Sequence, residues 1–369
     1  MNKHNASNVR IKREYLGYLK QAKGRDEATI DAVAKSLARF EESTGWKDFK
    51  RFHRGQAVAF KARLGEAVNG RTGERLSKST MLSTLRNLRE FFFWLAHQQG
   101  FKSQIGYADA DYFTLSGKEV TVARARREKS VPTLEQVRRV LRIMPAGTAL
   151  ERRDRALIAL TTITGARIGA LASFRHGHVN LYEGYVEQDG RTVQTKFGKT
   201  FPTFFLPVSE DALAIFTDWH QELERDHFWG PTDPLFPATE MALDQDGAFS
   251  ASGLCRRAWS TTGSARDIFK RAFAAAGLPY YNPHSFRDML VRHAFTLNLS
   301  PEQMKAWSQN LGHADVLTTF TSYGQLPSHR QGELIRQSGN ASGANGITTA
   351  ELAAVKALIG RIEGSGLSG

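Results

Sequence analysis

From Thr133 to about Pro327 the sequence follows a helical pattern that is interrupted once, between Val179 and Val208. That single interruption constrains the fold more than any other feature. It contains Gly184-Tyr-Val-Glu-Gln, then Asp189-Gly190, then Thr192-Val-Gln-Thr, a tight turn at Phe197-Gly198, and a run from Phe201 to Val208 rich in aromatics and threonine. Asp-Gly between two β-prone runs is a hairpin signal. A chain that is helical on both sides of one short β-type segment folds as helices around a small antiparallel sheet. The expectation for this region is α+β, mostly α.

The first hundred residues read as helical. Ser79 precedes TMLSTLRNLREFFFWLAHQQG, which stops at Gly100, the boundary signals of one long helix. Leu82, Leu85, Leu88, Phe92 and Leu95 recur at helical spacing as one buried stripe, with Arg86 and Arg89 off it. Segments around Arg13–Ala22, Ala28–Thr44 and Gln56–Val68 are also helical in pattern, so residues 1–115 form a small all-α domain. Residues 116–132 are basic, with Lys118, Arg124, Arg126, Arg127 and Lys129 against Glu119 and Glu128, and read as an interdomain linker. Such a linker either closes around a duplex or is simply solvated. Thr133 and Gln136 then make a capping box. Residues 331–347 are polar and Gly/Ser-rich, a flexible tether. A last helix capped by Thr348 carries Leu352, Val355, Leu358, Ile359 and Ile362 on one face. Alone it is too short to be stable in water, so it docks on its own domain or on a neighbouring protomer.

Charge narrows the partners. Fifty Lys and Arg against 37 Asp and Glu give +13, an excess that suits a polyanion. One cysteine, Cys255, excludes a disulfide framework and a Cys-based zinc finger and fits a reducing compartment. The opening MNKHNASNVRIKREYL has no apolar core of signal-peptide type, and no apolar run approaches the ~18 residues that span a bilayer. The expectation is a soluble cytoplasmic protein with no membrane partner.

Four places could act on a phosphodiester. Arg167, in Thr-Gly-Ala-Arg-Ile-Gly, follows a helix break at Gly165. Lys196 lies at the hairpin turn, with Lys199 close by. His284 and Arg287, in Pro283-His-Ser-Phe-Arg, are three apart at a helix start and point the same way. His313, in Leu311-Gly312-His313, follows a helix opening at Ser300-Pro301-Glu302, and Tyr323 comes ten residues later. Each alone is ordinary: arginines at helix starts usually face solvent, and a lone His-x-x-Arg is usually structural. Their order is the informative part.

That order resembles the tyrosine recombinase family, the phage integrase-like site-specific recombinases, over about 130–330. Gly165-Ala-Arg-Ile is similar to the stretch with the family's first catalytic arginine, Arg167. Thr195-Lys196-Phe-Gly-Lys199 before Leu206-Pro207-Val208 resembles its hairpin-lysine segment, with Lys196 in the role and Lys199 the runner-up. Pro283-His284-Ser-Phe-Arg287 resembles the His-x-x-Arg box, Asn310-Leu311-Gly312-His313 the Leu-Gly-His segment, and Ser322-Tyr323-Gly324 the nucleophile. Ala170 stands where many relatives carry an acidic residue. The resemblance implies a mainly α chain in two domains: an N-terminal all-α core-binding (SAM-like) bundle over 1–115, and a C-terminal α+β catalytic domain with a small antiparallel sheet over 133–330. It implies Arg167, Lys196, His284, Arg287, His313 and Tyr323 as catalytic residues, with Lys78, Arg86, Arg89, Arg124, Arg126, Arg127 and Lys199 on DNA. It implies double-stranded DNA with a specific recombination site as substrate, a homo-tetramer on paired sites, accessory DNA-bending proteins as admissible partners, a nucleoid-associated location, and no metal or other cofactor.

The chemistry suits those residue types. A phosphodiester gains negative charge on its nonbridging oxygens in the transition state, and arginines hold that charge without titrating away. A phenol attacks as phenolate and leaves again readily, so the covalent step is reversible and needs no ATP. An acid must protonate the departing 5′ oxygen. A type IB topoisomerase would use the same groups to relax one duplex, and a non-catalytic relative would keep only the basic surface. A metal-dependent nuclease would need clustered carboxylates, whereas Asp154, Asp233 and Asp267 are scattered. His176-Gly-His178 and His293 read as surface or core histidines rather than ligands.

Overall fold

The computed structural model describes residues 4–70, 72–125, 130–243 and 247–313, together with 331, 333 and 335. The chain divides into two compact units, Met1–Arg127 and Glu128–Gly369, each with its own apolar core.

In the first unit, α1 (Ala6–Gln21), α2 (Glu27–Ser43), α3 (Arg54–Glu66), α4 (Lys78–Leu95) and α5 (Gly117–Arg124) enclose a core dominated by phenylalanine. Phe40 meets Phe60, Phe92 and Phe113 edge-on at 5.3–5.4 Å between ring centroids, a favoured aromatic geometry. Leu85, Leu88, Phe92 and Leu95 are buried as their spacing predicts, while Leu82 is half-buried. The N-cap of α4 is Ser77, whose side chain accepts from Thr80 N, not Ser79. The helix ends at Leu95, and Gly100 sits beyond it with φ +82°. The stretch expected as linker contains α5, whose Ser116–Glu119 capping box supplies the boundary signal. Lys78 of α4 binds Glu119 at 2.7 Å, so α5 is tied to the bundle.

The second unit runs α6 (Leu134–Ile143), α7 (Ala149–Thr164), α8 (Ile168–Ser173), β1 (Val179–Asn180), β2 (Tyr185–Gln188), β3 (Phe201–Phe204), α9 (Glu210–Arg225), β4 (Pro237–Leu243), β5 (Phe249–Ala258), α10 (Gly263–Ala275), α11 (Ser285–Ala294) and α12 (Pro301–Asn310). Helix α7 is the axis of this core, with every residue from Ala156 to Thr164 buried. Its threonines Thr161, Thr162 and Thr164 satisfy their hydroxyls on carbonyls four residues back, which lets a polar residue sit in an apolar interior.

The sheet is small and antiparallel, in the order β1-β2-β3. Its register differs from the Asp-Gly hairpin expected: β2 pairs directly with β3, Gln188 opposite Phe201, and residues 189–200 form a long loop. Thr192–Thr195 is not a strand. Gly190 instead lets the two ends of the loop pass so closely that a Cβ there would collide with the Gly198 backbone. A second hairpin, β4 with β5, falls where helix was expected. Most of its residues are exposed, so neither strand shows the apolar–polar alternation that reveals a half-buried strand. Buried Arg153 roots it, donating to Pro237 O at 2.8 Å and lying 5.3 Å from the Trp259 ring centroid.

Candidate active site

Helix α7 ends at Gly165 in the left-handed region, φ +59°. A Cβ at Gly165 would lie 2.8 Å from Leu290 Cδ1 and 2.9 Å from Leu311 Cδ2, so conformation and space both demand glycine. The chain then turns through Arg167, the N-cap of α8. Arg167 is half-buried, and among the described residues its guanidinium makes no hydrogen bond or ion pair.

Arg287, one turn into α11, is only 2 % exposed. It donates from Nη1 to Gly165 O at 2.7 Å and from Nη2 to Leu311 O, and its Nη2 lies 3.0 Å from His313 Nε2. Two segments far apart in sequence, at Gly165 and at Leu311–His313, meet on this one guanidinium. His284, the N-cap of α11, is exposed.

His313 is 7 % exposed, and its pKa is pushed down to about 3, first by burial and then by the charges of Arg287, Arg167, His284 and Lys199. Of these neighbours, Arg287, Arg167 and Lys199 are cations. The imidazole is therefore neutral at physiological pH. Arginine has no acceptor, so Nε2 accepts from Arg287 and the ring proton sits on Nδ1. The segment carrying His313 is fixed on both sides. Gly312 has φ +67° and lies against the Phe201 ring, where a Cβ would come within 2.5 Å. Asn310 pairs with the edge of β3, its Oδ1 accepting from Phe204 N at 2.6 Å and its Nδ2 donating to Phe204 O at 2.9 Å.

The two lysines of the 189–200 loop have different surroundings. Lys196 is exposed, its Nζ 4.9 Å from the Phe197 ring centroid. Lys199 is half-buried, and its charge reaches His313. Arg167, His284, Arg287, His313 and Lys199 are thus brought into one electrostatic neighbourhood. Tyr323, Arg126, Arg127 and the Leu352–Ile362 stripe lie outside the described residues. Of the surface cations, Lys78 is held by Glu119 and Arg89 by Asp111 at 2.7 Å, while Arg86 and Arg124 are exposed.

Other polar groups have structural partners. His176 and His220 stack at 3.8 Å, each ring nitrogen within reach of the other's backbone carbonyl, and burial pushes His220 down to about 4. Asp154 pairs with Arg153 and Arg271, and Asp233 with Arg256. Among the described residues no group of three or more His, Cys, Asp or Glu is placed to hold a metal ion, and no helix is long and apolar enough to cross a membrane. Asn310 builds the site without belonging to any of the candidate sets that the sequence offers. Its only signal was adjacency to Leu311-Gly312-His313.

The Phage integrase family profile matches residues 131–329. The tyrosine recombinase XerC of Lactobacillus delbrueckii subsp. bulgaricus is 23 % identical over 320 residues, covering 84 % of this chain and 92 % of that protein. The tyrosine recombinase XerD of Neisseria meningitidis is 26 % identical over 199 residues, covering 52 % and 58 %. Among solved structures, a lambda integrase dimer bound to a COC′ core site superposes with a TM-score of 0.58 at 14 % identity, covering 86 % of this chain and 95 % of that one. A lambda integrase tetramer bound to a Holliday junction gives 0.54 at 15 % identity, covering 84 % and 78 %. The likeness to these structures is one of fold: mainly helical, in two domains, with small antiparallel sheets.

Proposed function

This chain belongs to the phage integrase family, as a tyrosine-type site-specific DNA recombinase, and we propose that it cuts and rejoins strands through a 3′-phosphotyrosyl intermediate without metal or ATP. The observation that carries the mechanism is the cluster of cations near His313, with Arg287 of α11 bound to the carbonyls of Gly165 and Leu311. A phosphate is the ligand such a field fits, and a carboxylate-held metal is not.

Arg167, which has no internal partner among the described residues, grips a nonbridging oxygen of the scissile phosphate. Arg287 holds the frame and supplies positive potential from behind. His313 Nδ1–H donates to a second oxygen as its charge grows. The Tyr323 phenol oxygen attacks phosphorus and passes its proton to His284. The bond to the 5′ oxygen breaks, and that oxygen takes a proton from a lysine of the 189–200 loop. Lys199 is favoured over Lys196 for this step by its place in the field of His313. The reverse reaction with a 5′ hydroxyl from a second duplex completes exchange. Each protomer cuts one strand, so exchange between two duplexes takes a tetramer on paired sites. The first unit clamps the duplex with Arg86 and Arg124, joined by Arg126 and Arg127.

The test traps covalent complexes on nicked duplexes with random-sequence cores, in EDTA. Wild-type protein is expected to give an SDS-resistant adduct that Tyr323→Phe abolishes and that Lys199→Ala reduces far more than Lys196→Ala. No adduct from the wild type, or an adduct retained by Tyr323→Phe, overturns the reading.

A further inference from the structure

The 189–200 loop carries an aromatic ring that nothing among the described residues explains. Phe197 has φ +63° and ψ +24°, in the left-handed region, and Gly198 follows with φ +64°. Two successive left-handed residues between Lys196 and Lys199 make a tight turn of the kind that glycine and asparagine adopt readily and phenylalanine does not. The ring gains no burial in return, since Phe197 is 84 % exposed.

The turn is nonetheless held. Gly190 N donates to Thr200 Oγ1 at 3.0 Å, Gln194 N donates to Ser173 Oγ at 2.8 Å, and Gly190 packs against the backbone of Gly198. A strained, solvent-facing ring on a fixed support is a ring presented to something outside the chain. Its surroundings say what. Lys196 stands over it, with Nζ 4.9 Å from the centroid, and Lys199, two residues on, lends its charge to the cationic site at His313. An aromatic face between two cations, beside the proposed phosphate site, matches a polyanion whose interior is stacked and apolar.

We infer that Phe197 is a wedge that enters a base step of duplex DNA next to the scissile phosphate, with Lys196 on a flanking phosphate and Lys199 at the scissile one; the inference rests on the recombinase reading above. Opening a step costs stacking energy, which the ring replaces with its own stacking. Flexible pyrimidine–purine steps open most easily, so the ring selects sequence at a position where it makes no hydrogen bond.

The test compares wild type, Phe197→Gly and Phe197→Trp. Glycine removes the ring and relieves the turn, so the loop keeps its shape; tryptophan keeps a stacking face. Duplexes recovered as adducts from the random-sequence pool are resynthesised with 2-aminopurine at each step beside the cut. Wild type and Phe197→Trp are expected to brighten the probe at one step on binding and to recover pools enriched there in pyrimidine–purine. Phe197→Gly is expected to lose both, with adduct yield at limiting protein reduced about tenfold. Equal brightening and unchanged pools in Phe197→Gly, with adducts still formed, overturn the wedge and leave the recombinase reading intact. A Phe197→Gly defect confined to self-association, with normal signals on DNA, also overturns the wedge and assigns the ring to a protein contact. Absence of adducts from every protein overturns the recombinase reading, and the wedge with it.

Discussion

Arg287 donates to the carbonyls of Gly165 and Leu311, whereas Arg167 makes no bond within the described residues, so substitution breaks different things at each. Arg287→Met strands two buried carbonyls, each worth about 1–3 kcal/mol once unsatisfied, and leaves Nε2 of His313 without its donor. Arg167→Met strands none. Urea unfolding is expected to show Arg287→Met destabilised by about 3 kcal/mol, with Arg167→Met within about 0.5 kcal/mol of wild type. Both are expected to lose adduct formation. Equal stability losses in the two variants would refute this division. The sequence announced both arginines through their motifs. It could not announce that one turns inward, because spacing along a helix tells which face a side chain shares and not which carbonyls from other segments arrive there. The resemblance put Lys196 ahead of Lys199 in the 189–200 loop; only the fold of the loop shows Lys196 lying against Phe197 and Lys199 lending its charge to His313.

Helix α12 and strand β3 are joined through Asn310. The Asn310 amide supplies both a donor and an acceptor to Phe204, as a neighbouring strand would, and Thr203 Oγ1 adds a bond to Asn310 O at 3.3 Å. This clasp sets the distance from the sheet to His313, and so from the loop lysines to the site. Asn310→Leu keeps the volume and removes both bonds. It is expected to cost about 2 kcal/mol and to lower the rate of adduct formation on a fixed duplex more than its binding affinity, measured by single-turnover kinetics and filter binding. A loss confined to affinity would place Asn310 outside the site's geometry. Helix boundaries were the most legible elements: Thr133, Gly165 and Ser300 each act as the caps their positions suggest. Strands were the least legible. The β4–β5 hairpin is exposed on both faces and so lacks the pattern that burial imposes, and the Asp189-Gly190 pair that looked like a turn serves a close passage of backbone instead.

The molecule as a whole is two cores rather than one. The first unit's aromatic core, from Ile11 to Phe113, is complete within Met1–Arg127. A fragment ending at Arg127 is therefore expected to be helical and to melt cooperatively by circular dichroism, and a non-cooperative melt would show that its core depends on the second unit. The positive balance of the whole chain by itself suits a polyanion. Composition alone did not place the boundary, since the basic stretch after Ser116 contains a helix that belongs to the first unit.

The arginine buried at the junction of α7, α11 and α12 binds two backbone carbonyls and a histidine at once. The residues that would handle DNA are therefore gathered by the same contacts that finish the interior of the second unit. A half-made or damaged copy has no partial version of the cage to offer. In the reading proposed above, a recombinase built this way stays chemically silent until its architecture is complete.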